Sequence, residues 1–174
     1  MKKLIALLLA LVVVLAMAAC GEKKTKEDEI ENLEGTMEEI IAEIQKEHGE
    51  TELALMTMPL DLTDMDGVTY NTALTSVDNV EEIAICETMM GQPYSLVLVR
   101  AADADEAKAI AQEMYDNIDT RKWVCVEADT KVAAYYGDVA MFFMVNSDFA
   151  EQTTTTKMVD AFKAVCGDGV TVID

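Results

Sequence analysis

Few side chains in this chain stand together in a way that could do chemistry. Arg121, Lys122 and Trp123 place two cations beside an aromatic ring. Such a group can hold an anionic or sugar-like ligand through charge and ring stacking. The same residues also suit a helix end, where cations complement the negative pole and a tryptophan anchors a corner; that structural role is the favoured expectation. Cys86, Cys125 and Cys166 each lie among apolar neighbours, with no C-x-x-C spacing. They are read as small buried hydrophobes rather than disulfide partners. His48 is the only histidine and lies far from the cysteines, so a zinc site is not expected. Asp61, Asp64, Asp66 and Gly67 hint at a calcium loop. With Asp64, Asp66 and Gly67 in register, however, Leu62 takes the first ligand position and Ala73 the last, where a bidentate Glu is required. No G-x-S-x-G, H-E-x-x-H or phosphate-cradling glycine loop occurs. Catalysis, a metal and a cofactor are therefore not expected.

Charge narrows the partners. The chain has 33 acidic against 13 basic residues and a net charge of −20. Nucleic-acid binding needs a basic footprint and is not expected. Attraction to an anionic membrane surface is equally disfavoured. The acidity favours solubility and self-repulsion.

The elements that must position these residues follow from periodicity. Ile30, Leu33, Met37, Ile40, Ile41 and Ile44 form one helical stripe, with Gly35 weakening its middle and Gly49 stopping it. Leu53 to Asp78 shows no clear period and is read as a short capped helical turn with a surface loop. Ile83–Met89 and Tyr94–Arg100, around Gly91-Gln92-Pro93, read as a β-hairpin. The second run is apolar at both parities, as in a central strand covered on both faces, or on one face with a dimer or lipid side on the other. Asp103-x-x-Glu106 opens a helix with the stripe Ala107, Ile110, Ala111, Met114 and Ile118. Trp123–Val126, Lys131–Tyr136 and Val139–Val145 read as strands, the last two joined by a Gly137-Asp138 turn. Asp148 and Glu151 have capping-box spacing before a helix carrying Met158, Phe162 and Val165, and Val170 to Ile173 suits an edge strand. The predicted fold is α+β, a two-layer sandwich of a mainly antiparallel sheet with helices on one face. It is built from two pseudo-repeated ββα units, Ile83–Ile118 and Lys131–Val165, plus an N-terminal amphipathic helix.

The start of the chain gives an address. Lys2 and Lys3 precede an apolar run from Leu4 to Ala19, which ends in Met17-Ala18-Ala19-Cys20-Gly21. A charged start, an apolar core and small residues before a cut site make the secretory pattern. The run is slightly short for a span of ~20 residues. It resembles a bacterial lipoprotein signal peptide, with Met17 where that class most often carries Leu. The resemblance implies a diacylglyceryl group on Cys20 and cleavage between Ala19 and Cys20, anchoring the protein to the outer face of the cell membrane. Residues 1–19 are then the signal peptide, 20–29 a charged tether, and 30–174 a single domain.

Asp119-Thr120-Arg121-Lys122-Trp123-Val124-Cys125-Val126 and Glu87-Thr88-Met89-Met90-Gly91 look similar to segments of small secreted lipoproteins of clostridia. The likeness covers roughly 82–145 and departs at Thr120, where Pro is expected. It implies a fold and an address but no activity. The expected function is a lipid-anchored extracytoplasmic binding or assembly module, with a protein or small-molecule partner of unspecified identity. The alternatives are an accessory solute-binding lipoprotein of a transport system, for which the chain is short, or, less favoured, an enzyme.

Overall fold

The computed structural model describes residues 32–174. The signal peptide, Cys20, the tether and Ile30 lie outside the described residues. Two long apolar strands dominate the sheet. Strand β3 (Tyr94–Ala101) and strand β5 (Val139–Val145) are buried along nearly their whole lengths. A strand buried on both sides can only be an inner strand, and these two pair antiparallel at the centre of the sheet. Around them lie β1 (Leu55–Pro59), β2 (Val80–Thr88), β4 (Thr130–Tyr136) and β6 (Thr171–Ile173). The order is β1-β2-β3-β5-β4-β6, and every pairing is antiparallel.

The α+β class, the antiparallel sheet and the packed helices agree with expectation; the layering is different. Helices α1 (Met37–His48) and α4 (Thr155–Cys166) cover one face, packing on Cys86, Leu96, Leu98, Met141 and Phe143. Helices α2 (Met65–Thr72) and α3 (Ala104–Asn117) cover the other, over Ile85, Val97, Val99, Phe142 and Met144. There are thus three layers rather than two. The reason lies in the strands: residues of both parities in β3 and β5 are apolar, so each face needs a cover. The two ββα units occur in the expected order, but their helices α3 and α4 go to opposite faces.

Local signals explain most boundaries. Asp103 caps α3 by accepting from the amide of Glu106. Gly137, at φ 52°, begins the two-residue β4–β5 turn, as the first position of a II′ turn requires. Four expectations need correction. Helix α1 starts at Met37 rather than Ile30, because Gly35 at φ 91° turns the chain and Thr36 with Glu39 closes a capping box. Leu55–Pro59 is an edge strand. Asp148 and Glu151 cap no helix; Thr154 does, accepting from the amide of Lys157. Trp123–Val126 is no strand but a turn, with Cys125 at φ 69°.

The chain enters at one end of the sheet. Arg100, near the end of β3, donates to the carbonyls of Leu33 (3.0 Å) and Gly35 (2.8 Å) and pairs with Asp138 (2.8 Å). Tyr94 opens the same strand six residues away, about 20 Å at 3.3 Å per residue. The loops after α3, β2 and β5 gather at the Tyr94 end of the sheet.

Candidate functional site: the loop rim around Lys122

Lys122, Arg121 and Trp123 part company in the structure. Lys122 turns inward, its side chain 1% exposed. Its ammonium donates to Asn71 Oδ1 (3.0 Å), Ser95 Oγ (3.3 Å) and Glu87 Oε1. An ammonium has three donors, and these three partners satisfy them. The rings of Tyr70 and Trp123 lie 5.4 and 5.3 Å from the nitrogen, within cation–π reach. Tyr70 also donates its hydroxyl to the Lys122 carbonyl at 2.7 Å. Burial pushes the Lys122 pKa below its ordinary value, and the Glu87 carboxylate opposes that shift. Ser95 Oγ in turn donates to Glu87 at 2.9 Å. A single side chain thereby ties the loop after α3 to α2, β2 and β3.

Arg121 points outward and pairs with Glu127 at 2.5 Å. That carboxylate holds the guanidinium pKa above its ordinary value. An anionic ligand must therefore compete with Glu127 for Arg121. Trp123 is half-buried against the α2–α3 side of the core. With Arg121, Cys125, Val126 and Glu127 it lines a cleft of about 440 Å³. The expected fully buried corner anchor is thus only partly met, and the buried member of the trio is the lysine.

A second cleft, of about 530 Å³, lies on the other side of Cys125, Val126 and Glu127, against Gln92, Pro93, Asn146, Asp148 and Phe149. Its walls are stitched together. Asn146 donates to the Glu127 carbonyl (2.9 Å), and the Ser147 hydroxyl and amide both donate to Asp129. Those bonds hold the Asp129 pKa below the ordinary carboxylate value. Along this rim Met89, Met90, Val124 and Val126 are exposed, Met90 by 78% and Val124 by 89%. Cys125 is exposed too, which corrects the buried-thiol expectation, whereas Cys86 and Cys166 are buried as expected. All three described cysteines are free thiols.

Sequence reasoning missed Glu87, Ser95, Asn71 and Tyr70 as partners of Lys122. One signal was present: Glu87 and Ser95 are polar positions at the same end of two largely apolar strands, and they sit opposite each other in the β2–β3 register. Elsewhere, His48 accepts or donates a 2.8 Å hydrogen bond with Thr153, and burial holds its pKa below the ordinary value. Among the described residues no three His, Cys, Asp or Glu side chains converge on a metal position. Asp64 instead caps α2, accepting from Gly67. Comparison with protein families, with curated proteins and with solved structures returned no match.

Proposed function

We propose that this protein is a lipid-anchored, extracytoplasmic binding or assembly module, held to the outer face of the cell membrane through Cys20, with its loop rim as the binding end. The observation that carries the reading is the opposition of two ends. Residues 33–35 are pinned beside Arg100 and Asp138, while the apolar rim lies at the far end of the sheet. A chain anchored through its N-terminal segment would present that rim outward. The rim is also held in one shape by the Lys122 network and the Asn146–Ser147 bonds, which lowers the ordering cost of binding. A catalytic reading has less support. Ser95 and Lys122 form a close polar pair, but neither lines the two clefts, and the lysine's donors are all engaged.

Two measurements test the reading. Cys20→Ala is expected to remain as uncleaved precursor or to appear in the medium. If that variant still matures to the same lipidated mass, the anchor is wrongly placed. Cys125 offers a native handle on orientation. A membrane-impermeant maleimide added to intact cells is expected to label it, and nitroxide lipids in reconstituted vesicles are expected to leave a fluorophore there unquenched. Failure to label, or strong quenching, would overturn the outward rim.

A further inference from the structure

We propose that the rim docks a protein segment that carries apolar side chains among lysines or arginines. This rests on the reading of the rim as the binding end and names the partner's chemistry. Met89, Met90, Val124 and Val126 supply exposed apolar surface beside two clefts that share the wall Cys125–Glu127. Methionine suits such a surface because its flexible thioether adapts to varied side chains. The backbone at Cys125 sits at φ 69°, a conformation costly for a residue with a Cβ, and its neighbour Val124 is exposed.

Charge selects among occupants. Arg121 is neutralised by Glu127, and Lys122 is buried against Glu87. Asp119, Asp129 and Asp148 belong to the same loops and form no ion pair among the described residues, while the exposed Lys157 ammonium, donating to the Glu151 carbonyl at 3.3 Å, partly offsets Glu151. The rim is therefore apolar with an acidic border. Gln92 lines the larger cleft, but its Oε1 is itself buried, so it offers an incoming segment no acceptor. A cationic segment brings opposite charge to that border. A second copy of this chain, at −20, or an anionic bilayer brings repulsion instead.

The full chain in detergent, titrated with three 15-residue peptides, provides the test. One peptide carries Leu and Lys at helical spacing, one replaces Lys by Glu, and one replaces Leu by Ser. The Leu/Lys peptide is expected to bind, with affinity falling as salt rises; the other two are expected to bind at least tenfold more weakly. Met90→Ser/Val124→Ser is expected to weaken it at least tenfold, and Asp148→Asn/Glu151→Gln severalfold with a flatter salt dependence. Glu43→Gln/Asp105→Asn, away from the rim, is expected to leave it unchanged. Equal weakening by that distant pair would reduce the binding to bulk charge and overturn the proposal. So would tight binding of the Glu peptide. Rim-dependent partitioning onto phosphatidylglycerol vesicles, or rim-dependent self-association by sedimentation, would assign the surface to a bilayer or a second copy and overturn it likewise. If the rim binds none of these, the proposal fails while the Cys20 anchoring, judged by fractionation, stands or falls separately.

Discussion

At the scale of single residues, Lys122 decides how the rim is held. Its burial is tolerable only because Glu87, Asn71 and Ser95 accept hydrogen bonds from its three N–H groups. Lys122→Met removes the cation and strands those acceptors, so urea unfolding is expected to show a loss of about 3 kcal/mol. Lys122→Met/Glu87→Met is expected to regain most of it, since an apolar pair leaves no uncompensated charge. A single variant within about 0.5 kcal/mol of the parent would show that the network holds nothing. Val124→Ser makes the opposite case. With the side chain 89% exposed, its stability by urea unfolding is expected to stay within about 0.5 kcal/mol of the parent, whatever happens to binding. The sequence singled out 121–123 as a group, and this is where the network and one cleft meet. It could not divide the three between core and solvent, because a turn, unlike a helix or strand, has no period from which to read a face.

At the scale of elements, periodic segments were legible and aperiodic ones were not. Helix α3 and strands β3 and β5 have apolar patterns long enough to stand alone. Strand β1 was missed because it is an edge strand, only partly buried and closed by Pro59, so tertiary pairing with β2 defines it rather than its own pattern. Val124-Cys125-Val126 has β-prone composition but forms no strand, since the positive φ at Cys125 turns the chain there. The start of α1 shows a third case, in which a local cap overrides a longer apolar stripe. Thr36 accepts from the Glu39 amide, and the Glu39 carboxylate accepts from the Thr36 amide in return. Thr36→Ala breaks this box and is expected to cost about 1 kcal/mol by urea unfolding. An unchanged midpoint would mean that burial of Met37, Ile40, Ile41 and Ile44 alone sets the boundary.

At the scale of the whole molecule, the two faces of the sheet respond to alkaline pH with opposite sign. The sequence did not show this, because the number of layers depends on where connections cross, and no local pattern records that. The face under α1 and α4 holds Cys86, Cys166 and Tyr94. Burial raises all three pKa values, Cys166 from 9.0 to about 12. Well below pH 9 these groups are protonated whether the chain is folded or unfolded. As pH rises through 9, the unfolded thiols ionise while the folded Cys166 keeps its proton until about 12, so the unfolded state gains and stability falls. On the other face Lys122 has a lowered pKa. Between that value and 10.5 the unfolded chain binds more protons than the folded one, so Lys122 adds stability as pH rises. Unfolding free energies measured by urea from pH 8 to 10.5 separate the two. Stability of Cys166→Ala is expected to decline less steeply above pH 9 than that of the parent, and Lys122→Met more steeply, each apart from its offset at pH 8. Parallel curves for the parent and both variants would mean that neither buried group is linked to folding, and would remove the physical basis for treating the two layers as electrostatically distinct.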